Sequence, residues 1–208
     1  MNGKFFDLSK EKQDRMMNAA LKVFSNCGYR HASTDIIVRE AGISKGLLFH
    51  YFESKIGLYS FIYEYSVRYV ILELRSNVNA EETDLFELIK QVEQARMCAM
   101  KGYPYMQQFL NRSMYEDVSE ALLAIEAMRT VLTDTYDAIF AKAHSTEFPQ
   151  GFDYEKIRRM LEYTIQGLMN EQFLNGSFQP EILYQEIVEY VNMVRDLTSN
   201  AVFTSNIS

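Results

Sequence analysis

This sequence predicts an all-α fold, and three observations carry the prediction. Apolar residues recur at three- and four-residue spacing through almost the whole chain. No stretch alternates apolar and polar residues as a half-buried strand would. Glycine, proline and short polar clusters interrupt the helical pattern every few turns, which divides it into about nine helices.

From Ser9 onward, Met16, Ala19, Ala20, Val23 and Phe24 share one stripe, with Lys12, Asp14, Arg15 and Lys22 largely off it. This is the first helix, and Gly28 ends it. Thr34 suits the N-cap of a short second helix, with Asp35 in its first turn and Ile37, Val38 and Ala41 on its buried face. Gly42 stops that helix, because a left-handed residue past a helix end costs least as glycine. Ser44 caps the third, in which Leu48 and Phe52, four apart, turn inward and leave Lys45, Gly46, Phe49 and His50 outside.

Glu53-Ser54 opens a long fourth helix that keeps Leu58, Phe61, Ile62, Tyr65, Tyr69 and Leu72 on one stripe for about five turns. After an acidic break from Asn79 to Asp84, the spacing predicts helices near 85–102 and 104–115, cornered at Gly102 and Pro104, and a longer one near 117–144. The Phe148-Pro149-Gln150-Gly151 loop precedes two closing helices near 153–175 and 180–199, parted by Asn175-Gly176 and restarted by Pro180. The tail after Thr198 is expected to fray.

Charge divides the same chain in two. Residues 1–55 hold nine Lys and Arg against six Asp and Glu, a net of +3, so the overall −7 leaves −10 for residues 56–208. An acidic body is repelled by phosphates, which confines any nucleic-acid contact to the N-terminal segment. We therefore read 1–55 and 56–208 as separate domains.

Cys27 and Cys98 stand far apart with no CxxC or Cys/His spacing, so packed thiols in a reducing compartment are expected, and a metal site is not. No apolar run is long enough for a signal peptide or a membrane span, which predicts a soluble, cytoplasmic protein with no membrane partner. His31, His50 and His144 are dispersed, and no nucleophile with its base, phosphate loop or carboxylate pair has catalytic spacing. Ser9-Lys10-Glu11-Lys12 matches SxxK without its companion motifs. Neither an enzyme nor a cofactor is expected.

Thr34 to Lys55 holds two short helical patterns joined by Ala41-Gly42-Ile43-Ser44, a helix-turn-helix. Its second helix presents a cation at Lys45, a side-chain-free approach at Gly46 and aromatic groups at Phe49, His50 and Tyr51, the set a DNA major groove takes. The Ala-Ala-Leu-Lys-Val-Phe-Ser-Asn-Cys-Gly-Tyr ending of the first helix, then Ser33 to Phe52 and Lys55, resemble the tetracycline-repressor (TetR) family of bacterial transcription regulators in order and spacing, over residues 10–65. The resemblance implies a three-helix DNA-binding head, joined by the long helix to a C-terminal helical bundle that binds an effector and dimerises.

Carried over by position, it makes Thr34 a phosphate contact and puts Ser44, Lys45, Gly46 and Leu47 on the groove edge. His50, Tyr51 and Lys55 become phosphate contacts. Phe49 stands where the family usually has tyrosine, which leaves it a thymine methyl or sugar contact without the hydroxyl. Plainer roles stay open: Tyr51 in the core, His50 and Lys55 as solvated surface residues.

The acidic body is rich in aromatic residues and Met, mostly as core. The resemblance implies an effector cavity there, and Met with Tyr suits an apolar or aromatic ligand. Tyr103, Phe109, Tyr136, Tyr163 and Gln166 are the candidates. The closing helices carry Ile157, Leu161, Ile165 and Leu168 on one face and Leu183, Ile187, Tyr190, Val191 and Val194 on another. In the family such a pair docks on its two-fold mate, with packing inside one chain as the alternative. A dimer spaces its recognition helices about 34 Å apart and so predicts a palindromic operator. The reading is a homodimeric repressor that releases operator DNA on binding a small effector. The sign of the effector is open, and a DNA-binding architectural protein of the same fold competes with it.

Overall fold

The computed structural model describes residues 3–143 and 153–205, and these are all-helical apart from turns and loops. A 3-10 turn at Gly3–Asp7 leads into α1 (Lys10–His31), α2 (Thr34–Ala41), α3 (Lys45–Phe52) and α4 (Lys55–Asn77). Then come α5 (Leu85–Gly102), α6 (Met106–Ser113), α7 (Ser119–Phe140), α8 (Tyr154–Leu174) and α9 (Pro180–Ser205). His144 and the expected 148–151 loop lie outside the described residues. Contacts divide the chain into two compact units, Met1–Leu72 with Ala99–Asp134, and Glu73–Cys98 with Thr135–Ser208. Helices α4, α5 and α7 each run from one unit into the other.

In the first unit, the apolar stripe of α1 is buried together with Ile37, Ala41, Leu48 and Phe52, so α1, α2 and α3 close on one small core. Phe24 of α1, Tyr59 of α4 and Phe109 of α6 form an aromatic cluster in the same unit, with ring centroids 5.0, 5.5 and 6.1 Å apart. Such pairs contribute about 0.5–1.5 kcal/mol beyond the area they bury.

Four features depart from the sequence expectation. Gly28, at φ 65 and ψ 177, kinks α1 rather than ending it, because Ala32 N–H returns to the Gly28 carbonyl at 3.2 Å and closes one further turn. The N-cap of α2 is Ser33, with Thr34 the first helical residue. On α4, Leu58, Tyr59, Ile62, Tyr63, Val67 and Val70 are buried, Tyr65 and Tyr69 are half-buried, and Leu72 is 61% exposed. Tyr65 sits at the core edge because its hydroxyl needs a partner, which it finds in the Tyr103 hydroxyl at 2.8 Å. The 3-10 turn was not expected.

In the second unit, Arg195 of α9 reaches Glu87 at 2.9 Å and Asp84 at 3.6 Å, tying the start of α5 to the last helix. Ile157, Leu161, Ile165, Leu168, Leu183, Ile187, Val191 and Val194 are all buried within the chain, and Tyr190 is 37% exposed. The apolar residues that α8 and α9 turn outward are others: Met160, Tyr163, Ile182, Met193 and Leu197. The helical backbone of α9 continues to Ser205, past the point where fraying was expected. Among the described residues no helix is long and apolar enough to cross a membrane, and no group of His, Cys, Asp and Glu could hold a metal ion.

Candidate nucleic-acid interface

The corner between α2 and α3 is built by Gly42, whose φ of 64 and ψ of 39 put it in the left-handed region. Gly42 N–H donates to the Arg39 carbonyl at 3.2 Å, and Ile43 N–H to the Val38 carbonyl at 3.0 Å, satisfying the end of α2. Ser44 Oγ accepts from Leu47 N–H at 3.2 Å and caps α3. Buried Leu48 and Phe52 then fix the rotation of α3, and Lys45, Gly46 and His50 fall on its exposed side, with Leu47 and Phe49 half-buried beside them. A Cβ at Gly46 would meet nothing within 4 Å, so the backbone there is open to a close approach.

The cations of this face have partners within the chain. Lys45 Nζ donates to Asp35 Oδ1 of α2 at 2.8 Å, both groups remaining largely exposed. Lys55 folds back: its Nζ donates to the Arg30 carbonyl at 3.3 Å and lies 4.6 Å above the Tyr29 ring, and burial lowers its pKa. Lys22 pairs with Glu40 at 2.7 Å, and Arg30 with Asp117 at 3.4 Å. Tyr29 is itself held by α7 and the turn before it, its N–H donating to Glu116 at 3.0 Å and its hydroxyl to Glu120 at 3.2 Å. His50 is exposed and edge-on to the half-buried Tyr51, ring centroids 5.1 Å apart. Thr34 is half-buried at the start of α2. The structure thus brings Ser44, Lys45, Gly46, Leu47, Phe49, His50 and Tyr51 together on α3, with Thr34 at the start of α2 and Lys55 turned toward α1.

The residues expected to line an effector site divide between the units. Tyr103 and Phe109 belong to the first, where both are buried. Tyr103 donates to Asp14 Oδ1 at 2.7 Å and accepts from Lys10 at 2.9 Å; burial and its hydrogen bonds to Tyr65 and Asp14 push its pKa far up. Phe109 packs among Phe24, Tyr59 and Tyr63. Tyr136, Tyr163 and Gln166 belong to the second. Tyr163 is 59% exposed on α8 beside Arg159, Gln166 is half-buried, and the Tyr136 hydroxyl accepts from Arg96 Nε at 3.2 Å.

Sequence reasoning missed the partner of that arginine. Glu93 is buried and lies 2.5 Å from Arg96, one turn away on α5, with burial raising its pKa against the opposing pull of Arg96. The signal was present, since Glu93 interrupts an apolar row that contains Ile89 and Met97.

A short helix, a glycine corner and a capped, outward-facing second helix define a helix-turn-helix, the motif whose second helix enters the DNA major groove in the proteins that use it. Residues 16–60 match the family model described as bacterial regulatory proteins, tetR family. Solved structures share the fold along most of the chain. A TetR family transcriptional regulator from Chloroflexus aurantiacus superposes with a TM-score of 0.63 at 20% identity, covering 95% of this chain and 96% of that one. The TetR family regulator PfmR from Thermus thermophilus gives 0.55 at 18%, covering 86% and 96%. The transcriptional regulator FadR from Bacillus subtilis, in complex with stearoyl-CoA, gives 0.59 at 18%, covering 85% and 96%. No curated protein sequence matches. Residues 16–60 thus carry the segment that the tetR family model describes, and the likeness to these solved structures extends to the fold of most of the chain.

Proposed function

We propose that the chain is a homodimeric repressor, in which residues 1–55 hold a palindromic operator and residues 56–208 bind a small effector that releases it. The observation that carries this reading is the exposed start of α3, where Ser44 caps the helix and Lys45 flanks the unobstructed Gly46. Thr34, Ser44, Lys45, Gly46, Leu47, Phe49, His50, Tyr51 and Lys55 are the proposed DNA contacts. Dimerisation through α8 and α9 is supported by the apolar side chains these helices expose, among them Met160, Met193 and Leu197.

The stearoyl-CoA complex of the Bacillus subtilis protein supports an effector with a large apolar part. Arg96 and Tyr136 in the second unit offer a polar anchor for it, with Tyr163 and Gln166 as further candidates. Release is a population shift, and moving the equilibrium from 1:99 to 99:1 takes about 5.5 kcal/mol of preference for the non-binding state. The cytoplasm is the compartment this role requires.

Selection of sites from random duplex DNA at moderate salt, with the native chain beside a Lys45→Ala, Tyr51→Ala double variant, tests the reading. A palindrome that only the native chain enriches supports it. Enrichment of one and the same site by both proteins would move base recognition away from α3.

A further inference from the structure

The 3-10 turn at Gly3–Asp7 belongs to no part of the helix-turn-helix, yet it is packed against it. Phe5 is fully buried, its ring 5.4 Å from Phe52, 6.1 Å from Tyr51 and 5.1 Å from Phe61. Burying a Phe contributes on the order of 1.5–3 kcal/mol, enough to seat a short segment. The other side of the turn is fastened as well. Gln13 of α1 donates to the Leu8 carbonyl at 2.8 Å and the Phe6 carbonyl at 3.2 Å, while Phe6 stacks on Tyr65 at 6.5 Å. The turn is therefore bound to the C-terminal end of α3, to α4 and to α1, all within one compact unit.

This seating puts Lys4 next to the recognition helix. Lys4 is exposed and lines an open cleft with His50, Tyr51 and Glu53 at the end of α3, and with Ser60 and Glu64 of α4. His50 and Tyr51 are the two residues of α3 that the family resemblance turns toward phosphate. A phosphate there would meet the Glu53 carboxylate as well, and Glu64 is paired with Arg68 at 2.9 Å. A strand backbone that reaches His50 and Tyr51 passes beside Lys4, whose charge offsets the neighbouring carboxylate.

We propose that the 3-10 turn is part of the DNA interface: Phe5 anchors it on α3 and α4, and Lys4 contacts a duplex phosphate beside those met by His50 and Tyr51. The proposal rests on the DNA-binding reading and adds a contact outside the helix-turn-helix. One neutralised phosphate changes the slope of log K against log salt by about 0.9. Between 50 and 200 mM salt, that makes the native chain lose about 3.5-fold more affinity per protomer than a chain without the contact.

The test is fluorescence anisotropy on a labelled duplex of mixed sequence across that salt range, with the native chain, Lys4→Gln, Lys4→Arg and Lys156→Gln. The last removes one positive charge from α8 and controls for net charge. The expected result is a slope shallower by about 0.9 per protomer for Lys4→Gln alone, with Lys4→Arg like the native chain. A Lys4→Gln slope equal to the native one, with the native chain binding, overturns the Lys4 contact and leaves the DNA-binding reading intact. An equal flattening by Lys156→Gln also overturns it, because the effect is then one of net charge. Absence of duplex binding by the native chain removes both readings together.

Discussion

Lys45 Nζ and Asp35 Oδ1 stand 2.8 Å apart and join the first turns of α3 and α2 across the helix-turn-helix, with the two side chains 51% and 72% exposed. An ion pair this open contributes about 0–1 kcal/mol to stability, so the ammonium can leave it for a base or phosphate. Asp35 also places a negative charge on the face proposed to approach DNA. Asp35→Asn is expected to raise affinity for mixed-sequence duplex several-fold at low salt, with the gain shrinking as salt increases, and to change stability by less than about 1 kcal/mol. A carboxylate can accept from cytosine N4, so the same variant is expected to discriminate less sharply between sites. Anisotropy on mixed and selected duplexes reads both effects; unchanged affinity would separate Asp35 from the DNA face.

Between α3 and α4 the chain turns on Glu53, at φ 62 and ψ −43, while Ser54 N–H donates to the Phe52 carbonyl at 2.6 Å. This is a γ-turn of the rare positive-φ kind, and a residue with a Cβ in such a conformation costs on the order of 1–3 kcal/mol. Glu53→Gly is expected to raise stability by about 1 kcal/mol. Gly57→Ala acts in the other direction, because its Cβ would stand 2.1 Å from the Phe52 carbonyl oxygen. The turn must open to admit it, at a cost of about 2 kcal/mol or more. Urea denaturation measures both, and a Gly57→Ala variant as stable as the native chain would show that the turn does not hold in solution.

Helix α3 was legible because its burial rule is local. Leu48 and Phe52, four apart, orient α3 whatever the rest of the chain does, and the left-handed residue after α2 is a glycine. The 3-10 turn was not, since the adjacent Phe5 and Phe6 carry no period, and what buries Phe5 lies on α3 and α4. The hydrogen bonds of Tyr103 were not legible either, because Lys10 and Asp14 are 93 and 89 residues away. The closing helices were placed correctly as elements, but a helical stripe alone does not say whether its cover is the same chain or another. Ile157, Leu161, Leu183 and Ile187 are covered within the chain.

Glu93 and Arg96 form a pair in which Glu93 is 5% and Arg96 15% exposed, and Arg96 also lies 4.8 Å from the Tyr136 ring centre. Removing one member of a buried pair leaves the other charge without compensation, whereas replacing both with apolar groups is often neutral. Arg96→Leu is therefore expected to cost about 3–5 kcal/mol, and Glu93→Met with Arg96→Leu to recover most of that loss. Chemical denaturation of the two variants distinguishes a structural pair from a functional one. If the double variant regains stability but no longer responds to an effector that releases the native chain from DNA, the pair also serves ligand recognition.

Alkaline pH separates the buried tyrosines from the half-buried Lys55. Burial raises the pKa of Tyr103, Tyr59 and Tyr29 above the ordinary value of 10.0, with Tyr65 and Asp14 adding to the first, Glu116 to the second and Glu120 to the third. A group whose folded pKa is raised contributes stability that is fully present below its unfolded value and is lost as pH climbs past it. Lys55 has the opposite sign: burial lowers its pKa from 10.5, so its cost is relieved as pH rises toward that value. The tyrosines are expected to dominate, because the upward shifts at Tyr103 and Tyr59 are large and three groups act together. Stability should stay nearly level from neutral pH to about 9 and fall steeply above about 10, with part of the ultraviolet tyrosinate signal appearing only as the chain unfolds. Tyr103→Phe should flatten the alkaline fall while lowering neutral stability by about 1 kcal/mol, because Asp14 loses one of its donors and keeps Lys10. Full tyrosinate formation in a chain that keeps its helical circular dichroism would mean that these hydroxyls are open to solvent.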